Sequence, residues 1–139
     1  MFRIAVLMAS ILFGLNSMAT FAMAAGAFDG VYAGIPRRTA NDNSVACEET
    51  ATNVARITIQ NSVINYQWGH LPMKATVDGG GSFSVRQLGP VPRSGPRRTV
   101  TLKGTISGGI LVADVGNKLC AAHLSLKKGA DASDFGPPN

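Results

Sequence analysis

With 139 residues, the chain has room for one ordinary domain and not for two, because domains centre on roughly 100–150 residues. Thirteen lysines and arginines against eight carboxylates give a formal net charge of +5, which directs the search for partners toward anions. Two cysteines and two histidines, with no Cys-x-x-Cys, leave little for a metal or redox centre.

Residues 1–24 read as a cleavable secretory signal. Arg3 supplies the charge, Ile4 to Leu15 an apolar run, and Ala22 with Ala24 the small residues that precede a cut. Ala25 and Ala27 offer a second cut after Ala27. The run is shorter than the roughly 20 apolar residues of a membrane span, so no transmembrane segment is expected in the mature protein. The expected location is the periplasm or the medium. Residues 25–128 are then a single β-barrel-like domain, and 129–139 a small, polar, Pro-terminated tail expected to be disordered.

From residue 55 to 128 apolar and polar residues alternate in short runs, and no stretch carries a sustained helical stripe. A first strand is expected near Asp29 to Gly34, followed by a long polar segment from Ile35 to Asn53. Ala55 to Gln60 turns Ile57 and Ile59 inward, and Val63 to Trp68 turns Ile64, Tyr66 and Trp68 to one face. Leu71 to Val77 and Ser82 to Gln87 repeat the pattern, and Leu88 to Pro96, with three prolines, interrupts it. Thr99 to Ile106 is the clearest half-buried antiparallel strand, with Gly104 at a bend; Ile110 to Val115 is apolar on both faces. Lys118 to Lys128 is the last, with Cys120, Ala122, Leu124 and Leu126 inward.

The connections Asn61-Ser62, Asp78 to Gly81, Ser107 to Gly109 and Gly116-Asn117 are hairpin chemistry. The fold class that follows is all-β: an antiparallel meander of about eight strands, closed into a small barrel or strongly curled to hide its edges.

Cys47 and Cys120, an even pair in an exported chain, read as a disulfide. The sequence of Phe28-Asp29-Gly30-Val31-Tyr32-Ala33-Gly34, Cys47, Ile57-Thr58-Ile59, Val77-Asp78-Gly79 with Phe83, Leu102 to Ile106 before Gly108-Gly109, and Cys120 with Leu124-Ser125-Leu126 resembles the small uncharacterised secreted proteins of proteobacteria. That resemblance implies a secreted β-domain and carries no catalytic or binding residue.

Candidate chemistry is sparse. A hydrolase needs a nucleophile, a base and an orienting group brought together, whereas His123 falls on the outward face of a strand and His70 at a turn, so surface or turn histidine is the plainer account of both. Asp114, in the two-sided apolar strand, calls for a hydrogen-bonding partner if it points inward. Gly79-Gly80-Gly81 lacks the ending of a phosphate loop and no helix follows it. Tyr66 and Trp68 are candidates for ligand contacts at a barrel mouth, against core packing as the plainer account. Arg93, Arg97 and Arg98, on a Pro/Gly-stiffened loop, suit carboxylate or phosphate recognition, against a solvated loop that aids solubility. No catalytic residue, metal or cofactor is expected. The expected role is a non-catalytic binding module for an anionic envelope component or an exported protein. The alternative is an inhibitor of an exported protease or lysozyme-type hydrolase. Nucleic acid is a poor partner, since no aromatic platform accompanies the basic residues.

Overall fold

The computed structural model describes residues 26–41, 54–89, 91 and 95–135. The signal segment, Cys47 and Arg93 lie outside the described residues. Among the described residues nine strands follow in chain order: β1 Gly30–Gly34, β2 Arg37–Asn41, β3 Ala55–Gln60, β4 Val63–Trp68, β5 Leu71–Thr76, β6 Ser82–Leu88, β7 Thr99–Ser107, β8 Ile110–Gly116 and β9 Cys120–Lys128. All the pairings are antiparallel.

They form one sheet in the order β5-β4-β3-β1-β9-β8-β7-β6, nearly closed into a barrel with a single seam between β5 and β6. Alternation explains the inside. Ile57, Ile64, Met73, Leu102, Leu111, Leu124 and Leu126 are fully buried together with Tyr32, while their chain neighbours face out. On β8 the inward set is Leu111, Ala113 and Val115, and Ile110, Val112 and Asp114 are exposed.

Apart from β2 the strands run as one antiparallel meander, closed by the pairing of β9 with β1, and the seam divides it into the runs β1-β3-β4-β5 and β6-β7-β8-β9. Two features add to the sequence expectation. First, the polar segment after Gly34 contains β2, which pairs with Cys120 to His123 of β9. Its pairing rests on backbone bonds, so it needs no apolar alternation. Pro36, which has no N–H to give a ladder, separates β2 from β1. Second, residues 129–135 of the tail lie against the barrel. Gly129 N–H donates to Val31 O (2.8 Å), Arg56 pairs with Asp131 (3.2 Å), and a 3-10 turn covers Ala132–Phe135. Ala33, on the outer face of β1 opposite Arg56, is completely buried.

One barrel end holds the tight turns Asn61-Ser62, Asp78 to Gly81 and Gly108-Gly109, with Phe28 packed against the core there. The other end, called the rim below, holds the turn Gly69-His70, the β6–β7 loop and the β8–β9 turn.

Candidate functional site

At the rim β6 hands over to β7 through a loop whose base is tied twice. Gly89 N–H donates to Arg98 O (2.8 Å), and Arg97 Nε–H donates to Gly89 O (2.9 Å). The second bond occupies part of the Arg97 guanidinium with its own loop. Arg98 instead faces the neighbouring β8–β9 turn.

That turn is built by Asn117. Its N–H donates to Cys120 O (2.8 Å), and its Oδ1 accepts from Leu119 N–H (2.9 Å) and Cys120 N–H (3.1 Å). An asparagine closing its own turn this way is common local chemistry. The consequence is that Lys118 projects into solvent while Leu119 folds back half-buried. Arg98, Thr99, Asn117, Lys118 and Leu119 line a groove of about 330 Å³. Two exposed cations thus border an opening that has an apolar wall. Such a place suits an anionic group with a hydrocarbon portion beside it.

The wider surface supports the same preference. Between Val54 and Ala113 the only carboxylate is Asp78, among seven lysines and arginines. Asp78 is committed to its own turn, where Oδ1 accepts from Gly80 N–H and Ser82 N–H at 2.9 Å each.

The sequence candidates are distributed as follows. Arg97 and Arg98 are exposed at the rim, but only Arg98 reaches the groove; Arg93 lies outside the described residues. Tyr66 and Trp68 are core side chains, 6 % and 8 % exposed, and do not line the rim groove. Cys120 begins β9, half-buried, and there is no free cysteine among the described residues. Lys118 and Leu119 are the members that sequence reasoning passed over. The Gly116-Asn117 turn signal was visible, but its nearness to Arg98 arises only from the β7–β8 and β8–β9 pairings.

A second polar cluster sits on the outer wall. His123 Nδ1 and Asp114 Oδ1 are 2.8 Å apart across β8–β9, in register, with Lys103 opposite Asp114 and Arg37 opposite His123. Asp114 points outward, 78 % exposed by side chain, so its partner is found on the surface. Among the described residues no serine or threonine hydroxyl is hydrogen-bonded to His123, and the row reads as a cross-strand line of polar side chains in which Asp114 stands between Lys103 and His123.

No protein family, characterised protein or solved structure matches the chain.

Proposed function

We propose that the protein is an exported, non-catalytic binding module that takes an anionic ligand at the barrel rim, where Arg98 and Lys118 border one groove. That juxtaposition carries the reading. Two cations from different loops on one apolar-walled opening are better suited to a ligand than the same charges scattered over the surface. The class of ligand is an anionic envelope component, such as a phosphorylated or carboxylated glycolipid or glycan. The periplasm or the medium is the proposed location, supported by Arg3, the apolar run to Leu15 and the small residues at Ala22 and Ala24. A Cys47–Cys120 disulfide is part of the proposal. It is supported by the absence of a free thiol at Cys120 and by Cys47 being the only other cysteine in the chain.

The test is retention on immobilised heparin and binding to lipopolysaccharide at low salt. The double variant Arg98→Ser/Lys118→Ser is expected to bind more weakly and with a shallower salt dependence, because two screened attractions are gone. Its melting temperature is expected to stay close to that of the parent, since exposed charges contribute little to stability. Unchanged retention would overturn the rim site. Capture of an exported hydrolase with loss of that enzyme's activity would favour the inhibitor reading instead.

A further inference from the structure

We propose that the barrel seam is a docking edge for an extended acidic peptide, which adds to β6 as a further strand alongside Ser84 to Leu88. The proposal does not depend on the rim groove.

The backbone bonds define which groups the seam leaves over. Ile106 N–H donates to Gly81 O, and Gly89 N–H donates to Arg98 O, one at each end of β6. In an antiparallel ladder, residues bonded to the partner alternate with residues whose N–H and C=O point the other way. Between those two anchors, Phe83, Val85 and Gln87 therefore bond to β7. Ser84, Arg86 and Leu88 turn their N–H and C=O toward the seam, where β5 does not pair with them. The backbone bond that closes the β5–β6 connection, Asp78 N–H to Ser82 O (2.9 Å), sits at the base of the turn.

The two sides of the seam are unequal. On β5 the bond from Val77 N–H to Ser62 O sets the same alternation, so Pro72, Lys74 and Thr76 take the seam-facing positions. Pro72 has no N–H to offer, and proline with lysine is a usual way of blunting a strand edge. The β6 edge has no proline. It is the side left able to accept a strand.

Charge decides what kind of strand. Lys74 and Arg86 are exposed on opposite sides of the seam, Lys103 lies opposite Ser84, and no carboxylate occurs in any strand from β3 to β7. A peptide that alternates carboxylate and apolar side chains fits this edge: it pairs backbone to backbone, puts its acids on the outer face with Arg86 and Lys74, and turns its apolar side chains to the inner face beside Val85, which packs against the core. A second copy of this chain would bring Arg86 against Arg86. A glycan lacks donors and acceptors at the strand repeat. Strand addition to an exposed edge is an established mode of peptide recognition.

The probe is an end-blocked peptide of alternating Glu and Val, added to the full mature protein while backbone amide exchange is followed by NMR. Exchange at Ser84, Arg86 and Leu88 is expected to slow by about tenfold or more when the peptide is present in excess over its Kd. An N-methylated Glu–Val peptide, unable to donate, is expected not to protect them. Arg86→Glu, an exposed change, is expected to weaken binding about tenfold or more. Unchanged exchange at those amides in the presence of the Glu–Val peptide would overturn the proposal. So would equal protection by a Lys–Val peptide, or protection that rises with protein concentration alone.

Discussion

Asp29 Oδ1 accepts the Ser62 N–H at 2.9 Å, and Oδ2 of the same carboxylate accepts the Asn61 N–H at 2.8 Å. Asn61 and Ser62 are the two central residues of the β3–β4 turn, with φ of 52° and 61°. A two-residue hairpin of this hand requires positive φ at both positions, which non-glycine residues adopt at a cost. A carboxylate from the segment before β1 therefore holds a strained turn that lies more than thirty residues further along the chain.

The same contacts predict a pH effect. The Ser62 N–H, first, with those of Asn61 and Gly26, holds the Asp29 carboxyl below its ordinary value of 3.8 against the opposing effect of desolvation; Lys128 adds a smaller favourable contribution. A carboxyl depressed in the folded state contributes stability above its unfolded pKa, and that stability is lost as pH falls through the folded value. Asp29→Asn is expected to lower the melting temperature at pH 7, with the gap from the parent closing below about pH 4. Thermal melts at pH 7, 5 and 3 check this. A gap that stays constant would show that the carboxylate charge is not what holds the turn.

Ser62→Gly is expected to stabilise. Glycine meets a φ of 61° without the penalty of a side chain and keeps the N–H that Asp29 uses. Relief of left-handed strain amounts to about 1 kcal/mol, or about 4–8 °C in a domain of this size. Calorimetry decides it, and a lower melting temperature would mean that the Ser62 hydroxyl matters more than the backbone.

Gly104→Ala is expected to destabilise by about 1–3 kcal/mol. A Cβ there would run into Val112 O and come within 2.7 Å of Phe83 Cζ, and the nearer of these is backbone. Phe83 is the cross-strand partner of Gly104. Its ring occupies space that the missing side chain leaves, a recurrent way of supporting a glycine in a bent strand. Urea unfolding is the measurement. A neutral result would show that β7 and β8 yield to the added methyl.

Cys120→Ser is expected to cost about 4 kcal/mol, because the proposed bridge to Cys47 closes a loop of about 70 residues. Alkylation of the unreduced native protein is expected to label neither cysteine. Full labelling would remove the bridge from the account.

Most strands were legible because each half-buried strand writes its environment as alternation, as in Ile57 and Ile59 between Arg56, Thr58 and Gln60. Two kinds of information were not written that way. The first is pairing supported by backbone alone: Arg37-Arg38-Thr39-Ala40-Asn41 has no apolar rhythm, yet it pairs with β9. The second is long-range order. Nothing local to Val31 or Tyr32 announces that one edge of β1 pairs with Thr58 and Ile57 while the other meets Lys128. The rim groove was half legible for the same reason. The exposure of Arg98 follows from the loop chemistry around it, whereas its meeting with Lys118 depends on the register of three strands.

The place of β1 between β3 and β9 has a consequence for the order of events during synthesis. A chain that lengthens from its N-terminus presents β3, β4 and β5 to β1 early, but the partner for its other edge ends at Lys128. Until that last strand has been made, β1 stands as an open border of a four-stranded half-structure, and the run β6-β7-β8 lacks the strand that joins it to β1. Closure is therefore the final step, set by the emergence of the C-terminal end, and non-local pairing of this kind is slow compared with hairpin formation. Trimming the chain at Ser125 would keep every hairpin turn, remove the buried Leu126 with the last two β8–β9 pairs, and leave the cylinder unzipped along β1.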